Sequence, residues 1–72
     1  MQLTVAGLKA RIARLERLER GFAREIGLQR EAEDQLLFRE REQYLTAIQD
    51  ALAGAEVARV VLATVVKRLE RD

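Results

Sequence analysis

The chain has 72 residues, of which 13 are basic and 12 acidic, and it contains no His, Cys, Ser, Asn, Pro or Trp. Without Cys and His there is no disulfide framework, no thiolate metal site and no imidazole acid, base or ligand. Only Thr4, Thr46, Thr64, Tyr44, two Lys and the carboxylates remain as reactive groups, so the composition points away from an enzyme and implies no cofactor.

Charged residues make up 35% and hydrophobic residues 49%, the profile of a coiled coil or helical bundle. A chain this short encloses little surface alone and depends on long regular helices or on association. From Val5 onward the apolar residues recur every three or four positions, at Val5, Leu8, Ile12, Leu15, Phe22 and Ile26. In heptad terms these fill the core positions a and d, and only Glu19 breaks the seam. Thr4 fits the N-cap, and Gly27 is the natural stop, since glycine takes the left-handed conformation without steric cost. The spacing predicts a first helix over about 4–26.

The apolar repeat then lapses between Gly27 and Asp34, where a turn over about 27–33 suits a short helix–helix connection. Asp34 offers an N-cap for a second helix over about 34–70. Its seam comprises Phe38, Leu45, Ile48, Leu52, Ala55, Leu62, Val66 and Leu69, with Arg41 and Arg59 as charged misfits. Gly54 lies within this repeat without shifting its phase.

Folding the chain about residue 30 sets the seams face to face: Val5 against Ala55, Leu8 against Leu52, Ile12 against Ile48. In that register Glu19 meets Arg41, whereas sliding by one heptad would oppose it to Asp34 or Ile48. A buried charge without a partner is costly, and a paired one can fix register. The charges agree with side-by-side helices: residues 1–24 carry a net +4 and residues 25–56 a net −5.

This expected hairpin has a longer second helix, whose last part, Glu56–Asp72, has no partner within it. That part is apolar nearly all round, through Val57, Ala58, Val60, Val61, Leu62, Val65, Val66 and Leu69. Leu18, Leu37, Tyr44 and Ala51 lie along one flank with Ala58 and Val65, while Lys9, Glu16, Glu42, Gln49 and Glu56 make the other flank polar. The expectation is a single all-α domain, an antiparallel two-helix coiled-coil hairpin dimerising into a helical bundle. The alternative is a three-helix bundle with a turn at Gly54.

Two functional readings follow. The first is a small adaptor or chaperone-like scaffold that forms homodimers or larger homo-oligomers, or holds an amphipathic helix of a partner. The second is an accessory nucleic-acid binder using the outer row Arg11, Arg14, Arg17, Arg20 and Arg24. The net charge of +1 and the absence of interleaved aromatic residues disfavour the second. Glu31, Glu33 and Asp34, with Glu40 and Glu42, form no cation-binding loop pattern and read as solvated carboxylates. Tyr44 is expected to pack its ring while its hydroxyl reaches water. A hairpin of this size carrying Glu42, Gln43 and Tyr44 resembles the needle co-chaperones of type III secretion, over those three residues and the length alone. No functional residue is carried over from that resemblance.

The longest apolar stretch, Val57 to Val66, contains Arg59 and Thr64 and falls well short of the roughly 20 residues needed to span a bilayer. Arg11, Arg14 and Arg17 interrupt the first apolar residues, unlike a secretory leader. The expected setting is therefore the cytoplasm, and the excess of Arg over Lys points to a bacterial or phage genome.

Overall fold

The computed structural model describes residues 3–31 and 38–71, which form two helices, α1 (Val5–Glu31) and α2 (Phe38–Arg71), packed side by side. The result is an all-α helical hairpin. Its extents are 53 × 21 × 14 Å, and the long dimension matches the about 51 Å expected for a 34-residue helix. The radius of gyration, 16.2 Å, exceeds the roughly 11 Å of a compact domain of this length.

Thr4 caps α1 as its sequence position suggests. Its Oγ1 accepts a 3.0 Å hydrogen bond from the Gly7 N–H, and its carbonyl accepts one from the Leu8 N–H. At the other end the expected stop is displaced. No glycine has a positive φ, and α1 runs through Gly27 for another turn to Glu31. Gln29, Arg30 and Glu31 are good helix formers with no Pro, Ser or Asn among them, so nothing forces glycine into the left-handed region. Gln29 extends the seam by one position: it is buried, and its Nε2 donates to Glu25 Oε1 at 3.1 Å. The turn assigned to 27–33 is thus helical at 27–31. Residues 32 and 33, the Asp34 cap and the start of the second helix over 34–37 lie outside the described residues.

Gly54 sits in uninterrupted helix, so the three-helix alternative with a turn there does not form. The seam phases agree with the heptad reading among the described seam residues except at Leu69, which is 41% exposed. On α1, Val5, Leu8, Ile12, Leu15, Glu19, Phe22 and Ile26 are all at least half-buried; on α2 the same holds for Leu45, Ile48, Leu52, Ala55, Leu62 and Val66. The core is thin. Among the described apolar residues only Leu8, Leu45, Ile48, Ala55 and Val66 are buried, and even Leu8 retains 2% exposure.

The register differs from the expected one. Glu19 does not meet Arg41; its Oε2 accepts a 2.6 Å bond from Nε of Arg59, eighteen residues further along α2, or about 27 Å. Lys9 Nζ lies 3.7 Å from Glu70, and the Tyr44 hydroxyl donates to Glu25 at 2.9 Å. Heptad seams slip only in steps of seven; the three contacts are displaced from the expected register by 18, 19 and 9 residues, which bracket a slip of two steps, with the long side chains reaching about one turn along the axis. The extra turn of α1 moves the chain reversal, and the slip retains the apolar layers while satisfying Glu19. It also removes the expected overhang. Val66 is buried, Leu62 and Val65 are half-buried, and Glu70 lies beside the first turns of α1.

Two outcomes check this fold. Replacing Thr4 by Ala leaves an N-terminal N–H without its side-chain partner and should cost about 1 kcal/mol in chemical denaturation. Reversing either Glu19 or Arg59 alone should lower the thermal midpoint. Glu19→Arg combined with Arg59→Glu should recover most of the loss, whereas Glu19→Arg with Arg41→Glu should recover none.

Candidate interaction surface

The register divides the apolar residues of α2 into an inner and an outer set. Leu62, Val65 and Val66 turn towards α1, whereas Val57, Val60 and Val61 remain 64%, 55% and 54% exposed. The outer three are spaced i, i+3 and i+4, so they form one continuous row on the helix surface. This end of α2 is apolar on more than one side, and α1 covers one of those sides. The row contributes to a shallow depression lined by Glu56, Val57, Arg59, Val60 and Val61.

Of the other residues expected at an interface, Leu18, Tyr44 and Leu69 are 45%, 38% and 41% exposed. Ala51 is exposed and Ala58 half-buried, while Leu37 lies outside the described residues. Val66 belongs to the core instead, because the two-heptad slip brings α1 over it. Leu28, 49% exposed, joins the outward apolar residues because α1 continues past Gly27.

The total accessible surface quantifies the mismatch. The chain exposes 5844 Å², against about 4,500 Å² for a compact monomer of this mass. The difference comfortably exceeds the roughly 800 Å² that each partner contributes to a standard interface.

Tyr44 is tied to α1. Its hydroxyl and the Gln29 amide both donate to the same Glu25 oxygen, linking the helices on the flank that also carries Leu18, Ala51, Ala58 and Val65. The bond to Glu25 is the chief cause raising the phenol's pKa above 10.0, followed by burial and by the neighbouring negative charge. On the other side of the seam the carboxylate of Glu19 raises the pKa of Arg59, first through the hydrogen bond and then through its charge.

The outer face of α1 is different in character: Arg11, Arg14, Arg17, Arg20 and Arg24 are all exposed. Among the described residues no group of three or more carboxylates could hold a metal ion, and no helix is long and apolar enough to cross a membrane. No family model, curated protein or solved structure matches the chain.

Because the raised phenol pKa reflects a bond made only by the protonated form, that bond stabilises the fold below pH 10 and is lost as pH climbs through the raised value. Ultraviolet titration of Tyr44 should give a midpoint above 10.0, and Glu25→Gln should move it back towards that value.

Proposed function

We propose that the chain is a non-catalytic association module, acting through contacts between its helices and those of further copies or of an amphipathic partner. The observation that carries this reading is the exposed row Val57, Val60 and Val61 on a helix whose opposite side is already occupied by α1. A hairpin can fold with this row bare, but covering it gains free energy. Full burial of an aliphatic side chain is worth about 1.5–3 kcal/mol, and each of these valines retains more than half of its surface for a partner to cover. The surface excess over a compact monomer supports the same conclusion. A cytoplasmic setting fits a chain without Cys whose longest apolar stretch is interrupted by Arg59.

The test is the native mass of the chain and of Val57→Asp/Val61→Asp, measured by light scattering, with helicity followed by circular dichroism. Assemblies heavier than the 8.2 kDa chain are expected, with the variant losing mass but not helicity. Identical masses for both, combined with salt-sensitive retention on nucleic acid that depends on Arg17 and Arg20, would overturn the association reading.

A further inference from the structure

The exposed valines belong to a longer pattern. Ala47, Asp50, Gly54, Val57, Val61 and Thr64 follow one another at steps of three and four, and Arg68 and Arg71 continue the series. All eight are exposed, and they run along the side of α2 away from α1. Alternating three- and four-residue steps are the signature of a coiled-coil seam. α2 therefore carries two seams, one occupied by α1 and one bare.

The bare seam is self-complementary when read backwards. Val57 and Val61 lie two residues either side of Arg59, Gly54 and Thr64 five either side, and Asp50 and Arg68 nine either side. We propose that the occupant of this seam is the α2 of a second copy of the same chain, antiparallel, with the two-fold axis passing at the level of Arg59. This rests on the association reading above and specifies its partner and geometry. An isologous contact pairs each residue with its counterpart twice. Val57 meets Val61 of the second copy at the centre, Gly54 meets Thr64, and Asp50 meets Arg68 at both ends. A parallel arrangement would instead set Asp50 against Asp50 and Arg68 against Arg68, so charge selects the antiparallel one.

Three further observations favour this pairing. Asp50 and Arg68 belong to neither the Lys9–Glu70 nor the Arg59–Glu19 ion pair, which leaves both for a second chain. A Cβ on Gly54 would meet nothing within 4 Å, so packing within the hairpin does not require glycine there. Glycine in mid-helix is nonetheless unfavourable, and opposite another helix it permits close approach. The Thr64 hydroxyl donates to the Val60 carbonyl at 3.0 Å, so its polar hydrogen is satisfied within the helix and can be covered without loss. On the flanks of the same pairing, Val60 lies beside Val60 of the second copy, and Ala51 beside Val65.

Sedimentation equilibrium and cysteine cross-linking of the full chain test the proposal, with helicity checked for each variant. The wild type should have twice the 8.2 kDa chain mass. Asp50→Arg and Arg68→Asp should each weaken the dimer about tenfold at low salt, since both symmetry-related pairs become repulsive, and the double reversal should restore it. Gly54→Leu should strengthen the helix of the monomer yet weaken the dimer, a combination that a merely structural role would not give. In a chain with no other cysteine, Val60→Cys should form a disulfide-linked dimer on mild oxidation and Gln49→Cys should not. A dimer indifferent to Asp50→Arg and Gly54→Leu would overturn this pairing while leaving association through another face intact. A wild type that stays monomeric would also overturn it, leaving a foreign helix as the remaining occupant.

Discussion

A helix in a two-helix hairpin has only one stripe that its neighbour can shield, and everything else on its circumference faces outward. In this protein the shielded stripes meet along a seam whose buried apolar members are Leu8, Leu45, Ile48, Ala55 and Val66. Among the described residues that is little enclosed surface, and α2, apolar on two sides near its end, is left with Val57, Val60 and Val61 in the open. The thin core and the exposed row are two results of the same geometry.

Register decides which residues fall on which side. Apolar seams of equal period are degenerate under slips of seven, so Leu and Ile positions alone cannot choose among them. The charged members do. Glu19, 15% exposed at its side chain, cannot be left opposite apolar groups, and the hairpin settles where Arg59 reaches it. Lys9 beside Glu70 on one flank and Tyr44 bonded to Glu25 on the other are compatible with that same alignment.

The heptad phase of both helices, the Thr4 cap and the continuity of the repeat through Gly54 were legible in the sequence because each depends on local spacing. The turn was not. Gly27 looks like a stop, but a glycine ends a helix only when the following residues favour another conformation, and Gln29 to Glu31 do not. Misplacing the turn carried through to the register. Arg41 satisfies Glu19 equally well until the reversal point is known; a slip of two heptads sets Ala55 at the level of Glu19, and Arg59, one turn further along, reaches back to it. The outer row of valines was visible as excess apolarity, but its separation from Leu62, Val65 and Val66 depended on that same register. An outward face on α2 also gives chemical sense to its composition: Asp50 before the valines and Lys67, Arg68 and Arg71 after them place opposite charges at the two ends of one apolar strip.

Placement of the seam is therefore the claim on which the surface, and any association through it, rests. Spin labels on Ala23→Cys and Glu56→Cys, both exposed on the polar flank, measure it within one molecule diluted into unlabelled protein. The structure predicts a separation of about 12–15 Å, from a helix spacing of 8–10 Å and a small axial offset. A separation near 30 Å, as an alignment of Glu19 with Arg41 requires, would contradict it.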